Sequence, residues 1–341
     1  TEAILEGLNY LKLATSLRIA VAQLEANLPA TRAQQALADL AEAILQGILT
    51  LACQEIETRH GLFTLPSPES ANSELRGTTL GIIAYGTLGA AELGYDSDLD
   101  LVFLFEPSGQ ESNGKRPLPP ERYYARLAQR VLSFLTVMTP SGKLYEVDTR
   151  LRPNGRAGAL VSSLDAFREY QLKEAWTWEM QALTRARFIA GYQPLRTGFE
   201  RIRLSALCRE RSDHDLRRDL LEMRLKISLE HLSGDHPGGA VLLKHGPGGL
   251  VDIEFIAQLG ILLNALAFPR ILQATGTRQQ LAELERIDWL SADEARLLES
   301  TWGELSLRRM MGSLVPDEKY TTPDTRPCAE LFGEKVGRSA E

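Results

Sequence analysis

The segment from Leu80 to Phe105, LGIIAYGTLGAAELGYDSDLDLVFLF, limits what this chain can fold into more than any other stretch. Two apolar runs rich in β-branched and aromatic residues, Leu80–Tyr85 and Leu99–Phe105, flank a glycine turn, and both read as buried strands. Side chains alternate between the faces of a strand, so Asp98 and Asp100 emerge together while Leu99, Leu101 and Phe103 enter a core. The chain therefore has to build a small sheet that brings two carboxylates to one spot.

Helical patterns surround that sheet. Residues 1–60 carry apolar residues at helical spacing, such as Leu37, Leu40, Ile44, Leu45, Ile48 and Leu51, with alanine between them. The run Pro66-Ser67-Pro68-Glu69-Ser70 breaks the pattern and predicts a boundary near 65–76. A helix around Arg122–Leu135 and a third strand at Leu144–Leu151 follow a solvated loop at Pro107–Pro120. Helices are then expected at Ala166–Arg187, Asp215–Leu232, Gly249–Leu266 and Thr277–Leu314, with a turn at Asp235–Gly239, and the prolines 316, 323 and 327 predict a ragged end. The expected class is α+β: a helical lead-in over 1–75, a small mixed α/β catalytic domain over 76–200, a helical bundle over 201–320 and an irregular tail over 321–341. Two or three domains suit 341 residues, since one domain usually holds roughly 100–200.

The formal charge of −7 argues against a surface that embraces nucleic acid, because that affinity comes from Lys and Arg neutralising phosphates. Cys53, Cys208 and Cys328 are far apart and odd in number, which suggests neither a disulfide framework nor a zinc knuckle and fits a reducing, cytoplasmic setting. No stretch reads as a membrane span. The start at Thr1, directly in a helical pattern, reads as a piece of a longer polypeptide.

The chemistry follows from the aspartates. Mg²⁺ takes oxygen ligands, commonly one or two carboxylates with substrate phosphates, and an Asp-x-Asp strand offers them. Gly86 and Gly89 are expected to let the backbone approach a phosphate, with the hydroxyls of Thr87 and Ser97 donating to its oxygens. In LYEVDTRLRP, Glu146, Asp148, Arg150 and Arg152 would share one strand face. Asp148 then supplies a third carboxylate, to share a metal or accept a proton, and Arg150 or Arg152 neutralises triphosphate charge. A strand, a Gly-Thr turn, an Asp-Leu-Asp-Leu strand and a third acidic strand together match the pattern of polymerase-β-like nucleotidyltransferases.

With those residues in view, the chain resembles the glutamine synthetase adenylyltransferase family over roughly residues 75–320. Members contain two related halves, one attaching AMP to a glutamine synthetase tyrosine and the other removing it by phosphorolysis. ELGYDSDLDLVFL, LYEVDTRLRPNGRAGALVSS, EAWTWEMQALTRAR and GGLVDIEFIAQ resemble the transferring, carboxyl-terminal half. The removing half usually has Arg-Val-Asp at Glu146-Val147-Asp148 and Arg-Glu-Ile-Glu-Phe at Val251–Phe255. The resemblance implies that Asp98, Asp100 and Asp148 are the metal-binding catalytic carboxylates, that Gly86 and Ser97 help hold nucleotide phosphates, and that a helical bundle follows. It also implies ATP as substrate, Mg²⁺, and glutamine synthetase and a PII-type signalling protein as partners. One departure stands out: the family usually reads Gly-Lys-Leu-Gly-Gly where this chain has Gly86-Thr87-Leu88-Gly89-Ala90, so a phosphate-facing cation is missing and weaker ATP binding is expected. Adenylyl removal on the same fold, and a non-catalytic module that docks glutamine synthetase or PII, are the rival readings.

Other residues carry plainer expectations. Trp176 and Trp178 are expected to fill the seam between catalytic unit and bundle, with a part in seating a partner protein as the other reading. Asp252 and Glu254 follow Gly246-Pro247-Gly248-Gly249, where carboxylates cap a helix start, and a role near the active site or in regulation stays open. His231, His236 and His245 match no ligand spacing and read as surface residues. The arginines from Arg201 to Arg224 read as a solvated helical face.

Overall fold

The computed structural model describes residues 1–25, 28–63, 78–107, 111–232, 239–314 and 323–337. Two long helices open the chain, α1 (Glu2–Glu25) and α2 (Ala30–His60), with Pro29 at the start of α2, where its missing N–H costs nothing. The sheet is built on β1 (Leu80–Ala84) and β2 (Leu99–Phe105), antiparallel and in register at Ile82 and Phe103. Between them lies the single turn α3 (Gly86–Gly89). The helix α4 (Pro120–Thr136) begins on the Pro119-Pro120 pair and lays Tyr123, Tyr124, Leu127, Val131 and Phe134 inward. Two short strands, β3 (Val147–Asp148) and β4 (Val161–Ser163), run parallel along one edge of β2, β3 beside Leu99–Asp100 and β4 beside Phe103–Phe105. On the far side β5 (Arg187–Gly191) pairs antiparallel with β1.

The remaining helices are α5 (Leu164–Lys173), α6 (Thr177–Leu183), α7 (Gln193–Leu207), α8 (Asp213–Leu232), α9 (Gly239–His245), α10 (Leu250–Asn264), α11 (Thr277–Arg286), α12 (Ala292–Leu314) and α13 (Arg326–Lys335). The protein is thus a mixed α+β, predominantly helical molecule around one small sheet.

Strand alternation divides the interior in two. Leu80, Ile82 and Ala84 with Leu99, Leu101, Phe103 and Phe105 pack against α2 and α4 in one core. Ile83, Val102 and Leu104 join a second core with α5, α7, α10 and α12. Asp98 and Asp100 have the parity of Val102 and Leu104, so the carboxylates leave the sheet on its bundle-facing side. The loop leading to β3 is held from outside: Asn9 of α1 donates to Thr139 Oγ1 at 2.9 Å and Gly142 O at 2.6 Å, while the Lys12 ammonium sits 4.3 Å over the Tyr145 ring.

Several sequence expectations are corrected. The strand expected over Leu144–Leu151 is only Val147–Asp148, because Asp148 Oδ1 accepts the Arg150 N–H two residues on, at 2.7 Å, and turns the chain. The helix expected over Ala166–Arg187 is α5, a break, α6 and the start of β5; at the break Glu179 returns to accept the Trp176 N–H at 2.9 Å. The helix expected over Thr277–Leu314 is divided near Asp288, whose φ is 57°. The tail expected to be ragged contains α13, which buries Cys328 and Leu331. Trp176 does not fill a seam; it is 70% exposed, and Trp178 is 37% exposed. Two segments, Ala30–His60 and Leu242–Asn264, are apolar and long enough to cross a membrane by length and composition, against the expectation of none. In the second, 83% of the apolar window is buried in the protein, as in a core helix. All three cysteines are free thiols. The expected boundary near 65–76, the turn at Asp235–Gly239 in its first four residues, and His236 lie outside the described residues.

Candidate active site

The entry to β2 sets the geometry. The Leu99 N–H donates to Glu146 O at 3.0 Å, and the parallel register places Asp148 directly beside Asp100. Neighbouring strands lie roughly 4.8 Å apart. Asp98, two residues earlier on the same face, is exposed, while Asp100 is half-buried. Burial, then the charges of Asp98 and Asp148, push the Asp100 carboxyl up to about 7, against the pull of Lys244 and Arg150. Three carboxylates that repel one another, with oxygen as the only donor, fit a divalent cation that would relieve the repulsion.

Asp148 is otherwise engaged. Its carboxylate accepts the Arg150 N–H at 2.7 Å and Arg150 Nε at 2.6 Å. Burial works to raise its pKa, but the Arg150 bonds outweigh it and hold the group below the ordinary carboxylate value. In consequence no three acidic, histidine or cysteine side chains among the described residues already converge as a ligand set. The pair Asp98 and Asp100 faces the site, with Asp148 beside it and clamped by Arg150. Arg152, expected to face phosphate, donates instead to Thr149 O at 2.7 Å and Thr149 Oγ1 at 2.9 Å and braces its own loop.

The glycine turn works differently from expectation. Gly86 has φ of +55°, and a Cβ there would overlap Asp100 Oδ2. At Gly89 a Cβ would overlap the carbonyl oxygens of Arg185 and Ala84. Both glycines therefore admit groups of the protein itself: one lets the carboxylate lie against the turn, the other lets the turn lie against the end of β1 and the turn that precedes β5. Thr87 is half-buried and faces a cleft, and Ser97 Oγ accepts the Gly94 N–H at 2.9 Å, closing the loop before Asp98.

Behind the turn lies a buried network that sequence reasoning missed. Arg185 Nη2 contacts Glu92 Oε2 at 2.5 Å, and its Nη1 contacts Glu254 Oε2 at 2.8 Å. Glu92 also accepts the Thr277 N–H at 2.5 Å and Thr277 Oγ1 at 3.0 Å, at the start of α11. One guanidinium thus joins the loop after the turn, the approach to β5, and α10. Burial pushes Glu92 up to about 7, with Arg185 opposing. These residues are 92, 185 and 254, and no local pattern links them.

Asp252 does cap α10, accepting the Gly248 N–H at 2.6 Å, and it also pairs with the buried Arg224. Arg224 and Arg203 are therefore not part of a solvated face; Arg203 donates to Leu183 O at 3.0 Å, Thr184 O at 2.7 Å and Leu272 O at 2.8 Å. His245 is buried rather than superficial, stacked on His231 with ring centroids 4.1 Å apart. Burial, helped by Lys244, His231, Arg224 and Arg309, lowers its pKa to about 4.

The Asp100 pKa has a measurable consequence in chelator. Folded Asp100 holds its proton to about 7, whereas the unfolded group releases it near 3.8, so the folded state binds the extra proton between those values. Its contribution to stability therefore falls as pH rises through that window and is constant outside it. Thermal unfolding of the parent and of Asp100→Asn across this range is expected to show the variant gaining on the parent with rising pH; parallel profiles would contradict it.

Comparison with known proteins adds the following. Residues 1–202 match the family model described as glutamate-ammonia ligase adenylyltransferase, and residues 240–311 match that of GlnD PII-uridylyltransferase. A protein of Methylococcus capsulatus, named bifunctional glutamine synthetase adenylyltransferase/adenylyl-removing enzyme, is 44% identical over 86% of this chain and 31% of its own length. Proteins of the same name from Xanthomonas oryzae and Pseudomonas aeruginosa are 42% and 39% identical over 96% and 88% of this chain. The chain spans 31% to 32% of the length of these curated relatives.

Proposed function

The chain belongs to the glutamate-ammonia ligase adenylyltransferase family, and from that membership we propose that it transfers AMP from ATP to a tyrosine of glutamine synthetase and releases pyrophosphate. The observation that carries this reading is the crowding of Asp100 between Asp98 and Asp148 on the bundle-facing side of the sheet. The site lies on a polymerase-β-like nucleotidyltransferase unit over 76–200, followed by the bundle over 201–320. In this reading Asp98, Asp100 and Asp148 would hold Mg²⁺, with Thr87, Ser97 and Arg150 around the nucleotide phosphates and Gly86 making room for Asp100. Bound Mg²⁺ supplies charge neutralisation of the reacting phosphate and of the departing pyrophosphate.

The residues divide the remaining work. Asp98 and Asp100 would hold the metal at the entry to β2, where the α-phosphate is proposed to lie. Arg150 keeps Asp148 ionised, which suits a ligand better than a proton acceptor. The tyrosine oxygen forms the new bond to the α-phosphorus as the bond to pyrophosphate breaks, and the phenolic proton passes to solvent water. Phenol ionises only near pH ~10, so transfer depends on groups that lower that barrier. A PII-type signalling protein is proposed as second partner, supported by the match of residues 240–311, and a cytoplasmic setting is supported by the free thiols.

Adenylyl removal remains the second reading because the relatives' printed name includes both activities. Incubation with α-labelled ATP, Mg²⁺ and glutamine synthetase is expected to label the synthetase and release pyrophosphate. Absence of label, with ADP released instead from adenylylated synthetase and phosphate, would reverse the direction. Nucleotide binding without turnover in either assay would make the chain a docking module.

A further inference from the structure

We propose that the groove between α2 and α4, on the opposite side of the sheet from the carboxylates, is a binding site for a small dianion. The proposal is independent of the nucleotidyltransferase reading.

The chain is acidic overall, with a formal charge of −7, but this groove is not. Arg59 and His60 of α2 and Arg126 and Arg130 of α4 line a space of about 340 Å³, within the roughly 300–1,000 Å³ usual for small-molecule sites. Glu55 is the only acid in the lining. Arg130 already holds it, through Nε at 2.5 Å and Nη2 at 2.8 Å, and the same guanidinium lies 4.3 Å from the centre of the Phe134 ring. That pair is neutral and fixed. Arg59 and Arg126 are both exposed and pair with no acid among the described residues, so the groove carries two positive charges that nothing in its wall offsets.

Arg126 is also aimed. Its Nη1 lies 3.1 Å from His60 Nε2, and His60 Nδ1 lies 2.7 Å from Arg116 O. A guanidinium only donates, so Nε2 accepts, and the His60 proton sits on Nδ1, where it donates to the carbonyl. His60 is 4% exposed, and its own carbonyl accepts the Gly114 N–H at 2.9 Å. A buried imidazole therefore orients Arg126 without cancelling its charge, which a carboxylate in the same place would do.

Two guanidinium groups brought from two helices, with the Gln129 amide and the Ser133 hydroxyl beside them, suit a ligand with two negative charges. A monoanion would leave one charge unmatched. An acidic protein surface would call for cations spread over about 800 Å², whereas these line one groove. The chemistry that fits is a dicarboxylate or a phosphate. Bound there, it would tie together the two helices that pack behind Leu80, Ile82, Leu101 and Phe103.

Thermal unfolding of the 341-residue chain in metal-free buffer, with ionic strength held constant by sodium chloride, tests the assignment against succinate, phosphate and acetate. One or both dianions are expected to raise the melting temperature saturably, and acetate is not. Tighter succinate would place the ligand's charges at two ends, and tighter phosphate on one centre. Arg59→Gln and Arg126→Gln are each expected to weaken the dianion about tenfold, the cost of one charge-assisted contact. Arg122→Gln, one turn before Arg126 and outside the groove lining, is expected to leave it unchanged. No dianion effect in the parent at tens of millimolar, an equal effect of acetate, unchanged binding in both groove variants, or equal loss in Arg122→Gln overturns the proposal. If Arg126→Gln does not fold, Arg59→Gln decides, since Arg59 makes no hydrogen bond or ion pair among the described residues.

Discussion

Asp100→Asn is expected to lower AMP transfer by about a thousandfold or more while leaving the folded chain at least as stable as the parent. The two effects have opposite sign because they come from the same crowding. Asp100 is compressed by burial and by two neighbouring carboxylates, and asparagine has the same shape without the charge. Above about pH 7, where the parent carries that charge, the variant loses the repulsion and keeps the packing. On the proposed role of Asp100 as a metal ligand, the variant loses several kcal/mol of transition-state stabilisation, where each ~1.4 kcal/mol is tenfold. Labelled transfer and thermal unfolding measured on one preparation check both halves. Near-normal transfer would remove Asp100 from the site, and a lowered melting temperature at pH 8 would show that its charge is not strained in the parent.

Arg185→Met is expected to cost on the order of 3–5 kcal/mol of stability, because removing one partner of a buried ion pair leaves the other uncompensated. Here one guanidinium serves two acids, Glu92 with a side chain 9% exposed and Glu254 at 24%. Glu92 keeps the Thr277 N–H and hydroxyl, so it is not stripped of partners, and the cost is set by charge more than by lost hydrogen bonds. Two corollaries separate this cause from simple loss of packing. The deficit should grow as pH rises above about 7, where parent Glu92 ionises against Arg185, and a second change, Glu92→Gln, should recover part of it there. Denaturant unfolding of the parent, the single and the double variant measures both; a deficit independent of pH and unrelieved by Glu92→Gln would assign it to packing.

The sequence was most legible where a period and a polar interruption coincide. β2 ends where its alternation ends, and β1 is shortened by one residue, Tyr85, which precedes α3. Legibility failed where a side chain redirects the backbone. Nothing in Leu144–Leu151 announces that Asp148 will take the Arg150 N–H, and Ala166–Arg187 hides the return of Glu179 to Trp176. β4 went unread because it is three residues long, and β5 because its first residue was absorbed into the helix expected over Ala166–Arg187; yet β5 ends at Gly191, with φ of +108°, a punctuation mark that was available. The candidate carboxylates were nameable from spacing alone, and the register of β3 on β2 gives them their neighbourhood. Their electrostatic surroundings were not nameable. Lys244 and Arg185, whose charges act on Asp100, come from two separate segments, and charged residues in helical register look alike whether they face solvent, as expected for Arg203 and Arg224, or are buried as those two are.

The two-faced sheet bears on how such a unit can be moved between proteins. β2 buries Leu101 and Phe103 against α2 and α4 on one side, and Val102 and Leu104 against α5, α7 and the bundle on the other. A transplant cut at 76 and 200 would carry the aspartates with α4 and α5, but would strip α2 from one oily surface and α10 and α12 from the other. Any recombination that shuffles this chemistry into a new host has to bring α2 and α10 along, or find a host already shaped to clasp the strands from both sides.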